Sequence, residues 1–519
     1  MHTFEDYEIS PFQYSWIMIL VILITLGCDS SQNPLTSTGI DRSYANATIS
    51  HGSVEKIERF CGDCHPFPSP LTFAKSDWAE EVRKGFGFYS DSRRTDLEEP
   101  TRQDTIRYFR GLAPDQVVVP RADSFLVVDS PVSFVRGPLV STSQDPPSTA
   151  HVVWDARSKS LYFTDMKYGG LWNWKPELEG AAKGLRGESK LIYQGRNTCR
   201  VNLCDWNHDG ATDFLVGELG SYQIGDHSNG RVSLLIADGN GSINAIVLAE
   251  GLGRVVSAVP FDYEEDGDLD VLVSEFGLQK TGALRLLRNV GGDLNSPKFN
   301  SEVLDPRHGV LGAEVADLDG DGHLDFVVAY GQEFETVEAH MNEGEGKYSV
   351  VIVHKMPDPS YNSSSFQIVD LDQDGKLDIV HTCGDIMDTN IAKPYYGLRW
   401  LRNLGQRRWE NRELGLLVGA LQSTVADFDG DGDLDVAGVG FFPGSFDSKK
   451  GTYDSICWWE QRKELEFVRH SIEQDHCFHA TCTSADLDMD GRVDLIVGEW
   501  PNDNVTGAFR IIWNQKVVQ

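Results

Sequence analysis

At 519 residues with 40% apolar side chains, the chain is too long for one ordinary core and calls for two or more domains. Its 46 Lys and Arg against 79 Asp and Glu give a net charge of −33, a field that works against a nucleic-acid partner. Nine cysteines (Cys28, Cys61, Cys64, Cys199, Cys204, Cys383, Cys457, Cys477 and Cys482) are too few at this length for a disulfide scaffold.

The first element is an apolar run, WIMILVILITLG at residues 16–27. Twelve residues are too few to span a bilayer but suit the core of a signal peptide, here assigned to residues 1–27. Gly27-Cys28 at its end resembles a bacterial lipobox, which implies lipidation at Cys28 and a mature N-terminus there. Two features depart from that pattern: Thr25 stands where Leu is usual, and no Lys or Arg precedes the run. Residues 28–50 are rich in Ser, Thr and Asn and read as a flexible tether. The expected location is the periplasm or cell surface, with a lipid anchor in a bacterial membrane.

Residues 51–120 form the second unit. The sequence Cys61-Gly62-Asp63-Cys64-His65 has the C-x-x-C-H spacing that lets two thiols reach the two vinyl groups of one haem, with an axial imidazole next in line. Helical spacing is read in SVEKIERF before the motif and in DWAEEVRKG and TRQDTIRYFRGLAP after it, the last stopped by Pro114. Helix, motif, helix and closing helix resemble a small class I cytochrome c, an all-α domain. That resemblance implies haem c on Cys61, Cys64 and His65. Such domains usually supply a Met from a Gly-rich turn after the middle helix. The corresponding stretch here, KGFGFYSDS, has none. The iron is then five-coordinate, or uses Lys75, Lys84 or Tyr89, or borrows a ligand from elsewhere in the chain. The competing readings of the motif are a disulfide or half a zinc site, and zinc would need a second Cys/His pair that does not follow.

From residue 121 to 519 the sequence is periodic. Nine-residue loops start at Asp205, Asp262, Asp317, Asp370, Asp427 and Asp486, about 55 residues apart. Each carries oxygen-bearing side chains at positions 1, 3, 5 and 9 and Gly at position 6, a pattern suited to a hard cation. The ligand sets are Asp205, Asn207, Asp209 and Asp213, then Asp262, Glu264, Asp266 and Asp270, then Asp317, Asp319, Asp321 and Asp325. They continue as Asp370, Asp372, Asp374 and Asp378, then Asp427, Asp429, Asp431 and Asp435, then Asp486, Asp488, Asp490 and Asp494. Asn207 and Glu264 depart from Asp at position 3, and Asn207 removes a charge. Strand-like runs flank every loop, so these are not EF-hands, which need helices and a Glu at position 12. About four strands per unit make one propeller blade. The loops resemble the FG-GAP/VCBS repeats of bacterial surface proteins and integrin-type propellers, which implies Ca²⁺ at each set. Residues 148–175 look like one degenerate blade without a loop, and one plus six gives a mainly β, seven-bladed propeller.

The strand before each loop should be innermost, placing Arg196, Arg254, His308, Tyr361 and His479 at a channel mouth as ligand-site candidates. The cluster His476, Cys477, His479 and Cys482 reads as structural or a disulfide ahead of a metal site, and Trp458 and Trp459 as packing. No nucleophile elbow, P-loop or dinucleotide fingerprint is present, and the catalytic residues of any enzyme activity are unknown. Two function classes remain. One is electron transfer through the haem, with the propeller docking a redox partner. The other is adhesion, or binding of an extracellular glycan or protein, with the haem domain accessory. An oxidoreductase whose propeller acts on substrate is a third, weaker idea.

Overall fold

The computed structural model describes residues 49–142, 147–177, 186–238, 242–387, 391–442, 452–501 and 507–516. The signal segment and Cys28 lie outside them. No described helix is long and apolar enough to cross a membrane.

Among the described residues three helices come first: α1 (His51–Cys61), α2 (Trp78–Asp91) and α3 (Arg102–Leu112). Ser50 caps α1 by accepting from Ser53 N, and Thr101 caps α3 by accepting from Asp104 N at 3.1 Å. The middle helix runs beyond the predicted stretch and takes in Gly85 and Gly87, where the sequence suggests a turn. Packing explains this. Trp78, Val82, Phe86 and Tyr89 recur at helical spacing and are all buried, while the two glycines face open space. Trp78 stacks on Phe109 of α3 with ring centroids 4.0 Å apart, and Phe60 of α1 meets Phe86 and Tyr89 at 4.9 Å each.

Seven four-stranded antiparallel sheets follow. Blade 1 covers residues 149–194, blade 2 198–252, blade 3 255–305, blade 4 310–355, blade 5 363–416 and blade 6 420–474. In these the strands pair in chain order, and the first strand of each sheet contacts the first strands of both neighbouring sheets around a closed ring. Blade 7 is built differently. Its inner three strands are His479–Ala485, Asp494–Glu499 and Phe509–Lys516, and its outer strand is Val132–Val140 from the front of the propeller, paired antiparallel with Phe509–Lys516. That pairing closes the circle and removes the end strand that an open ring would expose.

Burial follows position in the blade. The second strands, such as Asp213–Glu218 and Asp325–Tyr330, are buried at every residue because sheets cover both faces. The outer strand Ser296–Asp305 is largely exposed. Trp458 and Trp459 are fully buried, as expected of packing residues. Asn403 and Asn514 tie blades together through Nδ2, donating to Leu318 O at 3.0 Å and Phe428 O at 2.6 Å in the preceding blade.

Candidate functional site

Between the helices and blade 5 lies a cavity of about 200 Å³. Cys61, Cys64 and His65 line one side with Phe60, Phe86 and Trp78; Asp358, Ser360 and Lys393 close the other. Both cysteines are free thiols. Burial pushes Cys61 up to about 12 and Cys64 up to about 11. His65 Nδ1 lies 2.8 Å from Pro66 O. A carbonyl can only accept, so Nδ1 carries the proton and Nε2 keeps its lone pair. Burial lowers the His65 pKa and keeps the ring neutral.

Of the expected alternative ligands, Lys75 turns to Asp115 at 2.9 Å. Lys84 and Tyr89 reach the cavity wall, but Lys84 pairs with Glu81 at 2.7 Å and the Tyr89 hydroxyl exchanges hydrogen bonds with the Leu97 backbone. No methionine lines the cavity among the described residues. Lys393 was not marked by the sequence. Its Nζ donates to Thr72 O at 2.7 Å and sits 3.3 Å from the centre of the Phe73 ring. Burial lowers its pKa to about 7. The only signal for it in the sequence is indirect, the missing methionine.

The six acidic loops follow the innermost strands, as predicted. Each position-6 glycine has positive φ, from +83° at Gly210 to +101° at Gly432, and its N–H donates to the position-1 aspartate. The position-9 aspartate does more than face the loop. In all six blades that carry a loop, one of its oxygens takes the N–H of position 2 and the other an N–H of the third strand; Asp435, for instance, takes Phe428 N at 2.9 Å and Gln461 N at 2.8 Å. It therefore pins the loop to the blade.

Four loops bring three carboxylates within 4.8 Å of one another: Asp317, Asp319 and Asp325; Asp370, Asp372 and Asp374; Asp427, Asp429 and Asp435; and Asp486, Asp488 and Asp494. Among the described residues the two earliest loops do not. Arg288 pairs with Glu264 there, and Asn207 donates to Asp209 at 3.0 Å. Burial, with neighbouring carboxylates adding to it, raises Asp435 to about 8, Asp494 to about 7 and Asp378 to about 6. These are crowded negative charges that a bound cation would relieve.

The rim candidates sit at the starts of the inner strands, and the side chains of Arg254, His308 and Tyr361 are engaged. Arg254 Nη1 donates to Ser221 O and Gln223 O, His308 Nε2 pairs with Glu333 at 3.1 Å, and Tyr361 stacks on Tyr395 at 4.3 Å. The Arg196 backbone N–H donates to Glu218. Cys477 and Cys482 form no disulfide: both are buried free thiols, Cys482 in the packing between blades 6 and 7 and Cys477 beside Ile386 and Tyr396. The histidines beside them instead meet Glu473 and Glu499, neither of which the sequence singled out.

An FG-GAP-like repeat model matches residues 193–273 and 317–381. The chain carries FG-GAP repeats in a seven-bladed propeller. Cartilage acidic protein 1 of Mus musculus is 26% identical over 140 residues, which cover 25% of this chain and 20% of the mouse protein. The same protein from Homo sapiens is 23% identical over 141 residues, with the same coverage. The chain thus spans about a fifth of the length of these curated relatives.

Proposed function

We propose that this is an exported electron-transfer protein. In this reading Cys61 and Cys64 hold a haem c through thioether bonds, His65 Nε2 is the proximal ligand, six loops bind calcium, and the propeller docks a redox partner. The observation that carries it is the cavity wall itself. Two thiols and a neutral imidazole, its lone pair left on Nε2, stand together against aromatic side chains. Bound there, the haem would supply a one-electron couple. The chain's own residues do the rest. The Pro66 carbonyl fixes the His65 ring and strengthens it as a donor. Phe60, Phe86 and Trp78 exclude water on one side, and blade 5 covers the other.

Lys393, across the cavity from the motif, is the side chain that would complete the hold on the iron: burial lowers its pKa to about 7, and the neutral amine could turn from Thr72 O to serve as a ligand. Lipidation at Cys28 would hold the protein at the membrane where such a partner is met.

The test is an absorption spectrum of oxidised and reduced full-length protein made with haem-maturation machinery. The expected oxidised spectrum is low-spin without the methionine-to-iron charge-transfer band, and Lys393→Ala should shift it toward high spin. A methionine charge-transfer band in the native protein would contradict the ligand assignment.

A further inference from the structure

Glu499 ends the second strand of blade 7, the place that Glu218 holds in blade 2 and Glu275 in blade 3. In those blades the carboxylate is engaged by the fold. Glu218 takes Arg231 Nε at 2.9 Å and the Arg196 N–H, and Glu275 takes Arg285 Nε at 2.6 Å and Gly253 N at 2.7 Å. In blade 7 the arginine contact survives, with Arg510 Nε 3.1 Å from Glu499 Oε1. The other oxygen faces two imidazoles instead of a backbone N–H. Glu499 Oε2 lies 3.0 Å from His476 Nε2 and 3.6 Å from His479 Nδ1.

His479 Nε2 is 2.7 Å from Glu473 Oε2, and a carboxylate accepts, so Nε2 donates there. Nδ1 has no hydrogen-bond partner although the side chain is 0% exposed, and in the neutral ring it is the atom that carries the lone pair. Glu473 Oε1 is ion-paired with Arg136 Nε at 3.0 Å. A carboxylate on the far nitrogen of a histidine is the usual way a protein orients a metal-binding imidazole. One donor atom from each of His476, His479 and Glu499 lies within 4.8 Å of the other two.

We propose that His476 Nε2, His479 Nδ1 and Glu499 Oε2 form a site for a divalent transition metal of the zinc class, with Glu473 as the positioning residue; binding displaces the proton that His476 Nε2 donates to Glu499 in the metal-free chain and releases it to solvent. Two imidazole nitrogens and one carboxylate oxygen suit zinc and its neighbours, whereas the all-oxygen loops suit calcium. Three protein ligands leave a coordination position open, and His476 is the partly exposed member through which it could be reached. The site lies at the start of the inner strand His479–Ala485 and the acidic loop follows its end, so the two sites occupy opposite rims of the ring. Asp358 and Ser360, which help close the helical cavity, precede the inner strand of blade 5 and so share the rim of this site.

The experiment uses full-length, haem-loaded protein saturated with Ca²⁺ and dialysed against Zn²⁺. Bound zinc is counted by elemental analysis, and its neighbours are read by zinc-edge X-ray absorption. One zinc per chain should survive excess calcium and show imidazole scattering. His476→Gln, which keeps a hydrogen-bonding group beside Glu499, should lose it with an unchanged melting temperature in calcium. Glu473→Gln should weaken it roughly 10- to 100-fold. No zinc retained against calcium would overturn the proposal. So would retained zinc with an all-oxygen environment, or zinc indifferent to His476→Gln.

Discussion

Each acidic loop closes on itself inside one blade, whereas the cavity beside Cys61, Cys64 and His65 is closed by parts of the chain far apart. Within a blade, position 1 binds position 6 and position 9 binds position 2, all within nine residues. At the cavity, Lys393 meets Thr72 across 321 residues of sequence. A local site can be repeated with its repeat, and six copies corroborate one another. A site built across two regions occurs once, and one half of it gives no hint of the other.

The sharpest break of this comparison is chelation. Without a cation the crowded carboxylates repel, and binding to the folded form alone contributes roughly 2.7 kcal/mol per site at a hundredfold excess over the dissociation constant. EDTA should lower the melting temperature of the propeller markedly. An unchanged melt, on protein shown to start calcium-loaded, would mean the loops hold themselves without an ion.

A smaller effect separates two roles inside one loop. Asp435 is fully buried and receives two backbone N–H groups, so Asp435→Ala orphans both, at about 1–3 kcal/mol each. That loss should persist in EDTA. Asp431 is exposed and bonds only within its loop, so Asp431→Ala should cost stability in calcium and almost none in chelator. Denaturant melts of both variants with and without calcium check this. Equal losses in EDTA would erase the distinction.

The smallest expected effect lies in the channel. Arg200 of blade 2 reaches Ser365 of blade 5, a blade that is not its neighbour, so the side chain crosses the ring. Nearby Glu314 accepts from Ile368 N at 2.8 Å, and burial raises its pKa from 4.5 to about 7. The folded state therefore holds this proton where the unfolded chain has lost it, and stability declines as pH rises from about 4.5 to about 7. Glu314→Gln should melt like the parent at pH near the lower end and above it at pH beyond the upper end. A parallel pH dependence in parent and variant would show that channel water, reached by this partly exposed side chain, already solvates the charge.

The propeller was legible because its signal recurs. The period, the Gly-bearing loops and the alternating strands each appear six times, and blade 1 could be inferred from its strands alone. What escaped was non-local. Val132–Val140 carries no mark of the partner it meets at Phe509–Lys516, so the closing strand was not foreseen. Gly85 and Gly87 read as a turn because the buried stripe through Phe86 and Tyr89 exists only once the helices pack. Arg288 reaching Glu264, and Lys393 reaching the cavity, depend on tertiary contacts that no spacing encodes. His476 and His479 were visible as a pair, but Glu473 and Glu499 are joined to them only by the fold.

The central claim is a covalent haem at Cys61, Cys64 and His65, and pyridine haemochrome analysis of mature, denatured protein tests it most directly. One haem per chain should stay attached through denaturation, and Cys61→Ser with Cys64→Ser should abolish it. Protein made with haem-maturation machinery yet carrying no covalent haem would contradict the account and leave a binding propeller with an accessory helical module.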